Sequence, residues 1–239
     1  QNFVSAGVDA IVLAPRDARA LLPHARAAMR AGIPVVVIDS GLEGEAGVDY
    51  VNYIATDNYH GGALGAARLI EALGGQGKVL LLRYQEGSES TMQREKGFTD
   101  AMAPQPGITL VDPRRYAGAT RATAQEAAEN LLASWSGVDG VFCPNESSTF
   151  GMLLALRSRG LAGKVRFVGF DASAGLVAAL RAGELDGLVV QNPMKMGYLG
   201  VKAAVDALGK RPLELRVDTG VAVATRDNMD QPEIHALLF

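Results

Sequence analysis

Basic patches, cysteine pairs, histidine clusters and long apolar runs are all missing from this chain. Its 239 residues hold 23 Lys and Arg against 26 Asp and Glu, with no basic run, so the charge pattern suits neither a nucleic acid nor a membrane surface. A single cysteine, Cys143, excludes an internal disulfide, and with three scattered histidines, His24, His60 and His235, it makes no metal-binding pattern. Cys143 precedes Pro144 at a strand end with no histidine nearby in sequence, and it reads as a small buried apolar residue rather than a nucleophile. No apolar stretch approaches the ~20 residues of a membrane-spanning helix. Nucleotide signatures are absent too: GGALG (61–65) has the wrong spacing for G-x-G-x-x-G, and GGQG (74–77) precedes a strand instead of following one. In FDASAG (170–175), Asp171 stands where a nucleophile elbow needs its first glycine.

What is present is a rhythm. Hydrophobic residues make up 48% of the chain, enough for one large domain or two small ones. They fall into short apolar runs separated by alanine-rich stretches of helical period. The runs predict strands at DAIVLA (9–14), PVVVID (34–39), VNYIA (51–55), KVLLL (78–82), ITLV (108–111), DGVFC (139–143), VRFVGF (165–170) and DGLVV (186–190). Helices are predicted over 18–32, 63–75, 122–135, 149–160 and 195–210. Continuous apolar strands alternating with helices imply parallel sheets covered on both faces, an α/β fold.

Two of these strands end oddly. PVVVIDSG (34–41) runs four branched apolar residues into Asp39, with no basic residue before Arg68, and RFVGFDAS (166–173) runs into Asp171, with none before Arg181. In open parallel sheets ligands bind outside the carboxyl ends of the strands. Asp39 and Asp171 lie at that edge, as do Asn145 after DGVFC and Gln191 after DGLVV. Taken singly, Asp and Asn cap the following helix as readily as they bind a ligand. Two carboxylates and two carboxamides together, Gln191 being a poor cap, describe a polar pocket.

The stretches IPVVVIDS, IATDNYHGGALGA, QREKGF, GVFCPNES, VRFVGFDAS, GLVVQNP and VDTGVAVATRDN resemble, in order and spacing, the periplasmic sugar-binding proteins of bacterial ABC importers of the ribose and galactose type. The resemblance covers essentially the whole chain and extends to the ligand cores of lactose-repressor-like regulators. It implies two Rossmann-like lobes joined by three crossovers near Thr56, Gln191 and Gly220, the first lobe holding 1–56 and 192–220 and the second 57–191 and 221–239, which close over one sugar. It implies ligand contacts at Asp39, Arg94, Asn145, Asp171 and Gln191, with Tyr116 a looser match, no cofactor, a membrane permease as partner, a periplasmic or otherwise extracytoplasmic location, and a monomer when complete. By itself Arg94 reads as a solvated helix arginine, and only the motif promotes it. The family places roughly two β/α units before a helix tail like QNFVSAG, so the first lobe is expected to lack its opening units. Ser40 stands where ribose-type relatives carry arginine, and Ala14 where they carry asparagine, so ribose and galactose are not assigned.

The chemistry suits a neutral polyol, because carboxylates accept from paired hydroxyls, a guanidinium donates along a planar fork and carboxamides do both. Tyr116 and Phe150 are candidates to cover apolar faces of a sugar ring. Two alternatives stay open: a glycosidase using Asp39 and Asp171, which would need one carboxyl of raised pKa, and the ligand-sensing core of a transcriptional regulator.

Overall fold

A computed structural model describes residues 2–239, so Gln1 of the QNFVSAG tail lies outside the described residues. The chain begins with a one-turn helix, α1 (Asn2–Ser5), then β1 (Ile11–Leu13), α2 (Leu22–Arg30), β2 (Val35–Ile38), β3 (Asn52–Ala55) and α3 (Asn58–Leu73). It continues through β4 (Gly77–Leu81), α4 (Glu89–Met102), β5 (Ile108–Val111), α5 (Arg121–Ser134), β6 (Gly140–Phe142), α6 (Glu146–Ser158), β7 (Arg166–Phe170) and α7 (Ala174–Arg181). The last elements are β8 (Gly187–Gln191), α8 (Pro193–Leu208), β9 (Arg216–Asp218), β10 (Val221–Ala224) and α9 (Pro232–Leu238). These segregate into two compact units. The first comprises 1–57, 87–90 and 192–220, and the second 58–86, 91–191 and 221–239.

In the first unit a parallel sheet runs β1-β2-β3-β9. Its central strands, β2 and β3, are buried on both faces, since alternate residues face opposite ways. Val35, Val37, Tyr53 and Ala55 pack with Leu22, Ala25 and Ala28 of α2, while Val36 and Ile54 pack with Met196, Ala203 and Ala204 of α8. Helix α2 starts four residues later than its periodicity predicts. The Asp17 carboxylate accepts from the amides of Arg19 and Ala20, both at 2.8 Å, and this turn holds the chain until Pro23 opens the helix.

The second unit has a six-stranded sheet of order β10-β8-β7-β6-β4-β5. It is parallel except for β10, which runs antiparallel to β8. Leu80, Leu82, Val141, Cys143, Phe167, Leu188 and Val190 fill one face under α5, α6 and α7. Val79, Leu81, Phe142, Val168, Phe170 and Val189 fill the other under α3 and α4. Cys143 is fully buried, and burial pushes its thiol pKa well up, as expected of an apolar filler.

Helix α3 begins five residues before its predicted start and takes in Gly61 and Gly62. These glycines serve packing. A Cβ on Gly62 would lie 1.9 Å from the carbonyl oxygen of Arg94, and one on Gly97 would lie 2.0 Å from that of Tyr59. Backbone therefore meets backbone where α3 and α4 cross, and this sets where α4 carries Arg94. A second tie holds α4 to the sheet: Arg83 bonds Glu95 through Nη1 (2.6 Å) and Asp112 through Nε and Nη2 (3.0 and 2.5 Å). The Glu95 side chain is only 1% exposed, and burial holds its carboxyl above the ordinary value despite Arg83.

Two substitutions of glycine by alanine should therefore move stability in opposite directions under denaturant. Gly62→Ala should cost about 2 kcal/mol or more through overpacking. Gly197→Ala, in α8 where a Cβ meets nothing within 4 Å, should add about 0.5–1 kcal/mol. Arg83→Met should cost about 3–5 kcal/mol by stranding the buried carboxylate of Glu95, and the double variant Arg83→Met/Glu95→Gln should recover most of that loss.

Candidate functional site

The two strand-end acids share a backbone device. Asp39 donates its amide to the Ile54 carbonyl of β3 (3.1 Å), and Asp171 donates to the Val189 carbonyl of β8 (2.8 Å). Each is the last ladder bond before the chain leaves its sheet, and each acid then turns it through the left-handed region, at φ 66° and 67° respectively. Apart from glycine, Asp and Asn adopt that conformation most cheaply, because their short polar side chains bond locally. An apolar strand thus ends in an acid because the exit turn restricts the residue type and the edge gains a carboxylate.

In the second unit that carboxylate is held from two sides. Asp171 Oδ1 accepts from Gln191 Nε2 at 2.6 Å, and Oδ2 accepts from the Glu146 amide at the start of α6 at 3.1 Å, where the helix dipole favours an anion. Arg94 Nη1 lies 3.9 Å from Oδ2. Arg94 is not the solvated arginine that residue type alone suggests: its side chain is 3% exposed. Its Nε donates to Asn58 Oδ1 (2.8 Å), its Nη1 donates to the Pro144 carbonyl (3.0 Å), and its guanidinium lies 3.8 Å over the Phe170 ring. Asn58, absent from the sequence expectations, orients the guanidinium; its position as the first residue of α3 was hidden by the glycines that follow.

Asn145 follows the capping reading. Its Oδ1 accepts from the Ser148 amide (3.2 Å) and hydroxyl (2.6 Å), and its Nδ2 donates to Ser147 Oγ (3.1 Å), a capping box at the head of α6. It thereby sits one residue from the amide that binds Asp171. Phe150 is engaged in packing: the Arg121 guanidinium lies 4.1 Å over its ring, and a Cβ on Gly175 would come within 2.6 Å of it. Tyr116 is elsewhere. It lines an open hollow of about 820 Å³ with Thr123, Glu126, Asn130 and Trp135. The structure thus brings Arg94, Asp171 and Gln191 together, with Asn145 adjoining, and does not bring Tyr116 to them.

In the first unit the end of β2 is built around Tyr53. Its hydroxyl lies 3.3 Å from the Asp39 carbonyl and 3.4 Å from Glu89 Oε2. Ser40, 4% exposed, accepts from the Ser90 amide at 3.2 Å. Glu89 was not singled out by sequence, because it lies in a polar stretch after a strand with no apolar period to mark it. Among the described residues no cluster of three or more metal-ligating side chains occurs.

Comparison with known proteins agrees with this architecture. Residues 1–212 match the model of the periplasmic binding protein domain. A solved ABC transporter solute-binding protein from Agrobacterium vitis with bound D-fucose superposes with a TM-score of 0.94 at 38% identity, over 100% of this chain and 82% of that one. A carbohydrate transporter solute-binding protein from Agrobacterium radiobacter in complex with D-arabinose gives 0.93 at 31% identity, over 100% and 81%. Among curated relatives, the ribose import binding protein of Bacillus subtilis is 29% identical over 95% of this chain and 72% of its own length. These relatives are binding proteins, so neither the glycosidase nor the regulator alternative is favoured.

The left-handed turns give a measurable contrast. Asp39→Ala should be less stable than Asp39→Gly by about 1–2 kcal/mol, and Asp171→Ala less stable than Asp171→Gly by a similar amount, because each pair loses the same carboxylate and differs only in backbone freedom. Chemical denaturation of the four variants checks this.

Proposed function

The chain belongs to the periplasmic binding protein family, and on that footing we propose that it captures a monosaccharide or similar neutral polyol as the solute-binding component of an ABC importer. It works outside the cytoplasmic membrane and delivers its ligand to a membrane permease. Among the described residues no helix is long and apolar enough to cross a membrane. The ligand class is that of the relatives, whose bound molecules include D-fucose and D-arabinose.

The observation that carries this reading is the Arg94, Asp171 and Gln191 cluster. Each Asp171 oxygen takes one protein donor, and a carboxylate has about four acceptor sites, so acceptor capacity remains for two sugar hydroxyls. Arg94 is fixed through Nε and Nη1, while its Nη2 bonds no acceptor among the described residues and is left to donate to a ring or hydroxyl oxygen. Asp39 adds an acceptor at the edge of the first unit. No step of covalent chemistry is needed. The protein binds, and the prior fixing of both charged groups lowers the ordering cost of binding.

Hydrogen bonds to charged groups contribute about 1.5–3 kcal/mol each, so three or four of them support micromolar affinity, about 8 kcal/mol, after desolvation and ordering are subtracted. Thermal-shift measurements against pentoses, hexoses and cyclitols should find at least one compound that raises the melting temperature by roughly 5–10 °C at a hundredfold excess over its Kd. Arg94→Met should abolish that shift. A panel with no active member, or an Arg94→Met variant that keeps the full shift, would sink the reading.

A further inference from the structure

Glu89 is an acid that no strand-end argument finds. It is the first residue of α4, in the short segment 87–90 that groups with the first unit while its flanking residues group with the second. That segment is strapped to the carboxyl end of β2 and its surroundings. The Ala18 amide donates to the Gly87 carbonyl (2.9 Å), the Ser90 amide to Ser40 Oγ (3.2 Å), and the Gly41 amide to Glu89 Oε2 (3.2 Å). The Tyr53 hydroxyl completes the set. It lies 3.4 Å from the same Oε2 and 3.3 Å from the Asp39 carbonyl, and so bridges the two acidic residues. Burial first, and the negative charge of Glu89 second, push the Tyr53 pKa up, so its hydroxyl stays a proton donor to both.

The two oxygens of Glu89 are therefore unequal. Oε2 takes both protein donors, whereas Oε1 takes none among the described residues. The carboxylate lies close against Gly41, where a Cβ would stand 3.2 Å from Oε2 and 3.3 Å from Cδ, so the glycine gives it room beside the strand end. The residue is partly exposed, and Oε1 is the oxygen with acceptor capacity to spare. Ser40, next in sequence to Asp39, supplies no cation there. Glu89 Oε1 is thus an acceptor, and its complement is a group that donates.

We propose that Glu89 is a specificity-determining ligand contact: Oε1 accepts a hydroxyl proton of the bound polyol beside Asp39, and the first unit thereby selects hydroxylated ligands over sugar acids. This rests on the sugar-capture reading above, and the test separates the two. The affinity of the wild-type chain is measured by calorimetry for its best panel sugar, for the single-deoxy analogues of that sugar, and for the matching uronic acid. The same set is repeated on Glu89→Gln, Glu89→Asp and the exposed control Glu86→Gln.

Glu89→Gln should weaken the parent sugar about ten- to a hundredfold, and the loss should vanish for one particular deoxy analogue, because the hydroxyl that Glu89 reads is already gone. The preference for the parent sugar over its uronic acid should narrow in Glu89→Gln and persist in Glu89→Asp. Glu86→Gln should match wild type throughout, and unliganded melting temperatures report folding. A purely structural role for Glu89 predicts equal weakening across every analogue, and that outcome overturns the proposal, as does a Glu89→Gln variant with wild-type affinities. Should Glu89→Gln fail to fold, the folded Glu89→Asp variant decides by the same comparison: its loss must concentrate on one hydroxyl. A wild-type chain that binds no panel member sinks the sugar-capture reading and this proposal together, whereas binding without the deoxy signature sinks only Glu89.

Discussion

Everything at the ligand edge depends on how a buried parallel strand leaves its sheet. The final amide of β2 and of β7 is still satisfied by the neighbouring strand, and the next backbone unit must turn sharply to begin a loop. Asp39 and Asp171 make that turn at nearly the same positive φ, a conformation that favours glycine and, after it, Asp and Asn. Glycine would serve the turn and leave the edge without a charge. Aspartate serves it and places a carboxylate at the carboxyl end of the sheet. For Asp171 the arrangement reinforces itself, because the carboxylate satisfies an unpaired amide at the start of α6 and holds the side chain of Gln191. Strain at the backbone and order in the side chains are two sides of one requirement.

A buried guanidinium beside such a carboxylate needs its own support. Removing an arginine from water is costly unless its donors are met. Asn58 and the Pro144 carbonyl meet Nε and Nη1 of Arg94, and the face of Phe170 covers the guanidinium. Gly62 and Gly97 let α3 and α4 approach closely enough for Asn58 to reach it, and the Arg83, Glu95 and Asp112 network fastens the same helix to the sheet. The same helix carries Glu89 at its first residue and Arg94 five residues later.

Much of this was legible from pattern alone. All eight expected strands form, within two residues of their expected ends, because a strand buried on both faces cannot hide its apolar run. The two strands that pattern missed are short and carry little such signal: β9 is RVD with exposed ends, and β10 is VAVA, an antiparallel edge without an alternating face. Helix α4, ESTMQREKGFTDAM, is too polar for its period to stand out, which is why Glu89 escaped notice and Arg94 was visible only through family resemblance. At α3 the expected helix began at Ala63 and left out Gly61 and Gly62, although a helix crossing at backbone distance requires small residues. Asn145 shows the limit of residue type, since the amide that suits a ligand equally suits a capping box, and here Ser148 completes the box.

That cap bears on selectivity. With Oδ1 of Asn145 held by Ser148 and one Nδ2 proton given to Ser147, the carboxamide retains one donor and little acceptor capacity. Asp171 has the opposite balance, with acceptor capacity remaining and no donor of its own, and Arg94 can only donate. The second unit therefore offers donors from Arg94 and Asn145 around a single accepting carboxylate. A polyol hydroxyl both accepts and donates, and so suits that set. That balance follows from which protein atoms are already bonded, and it says more than the list of residue types.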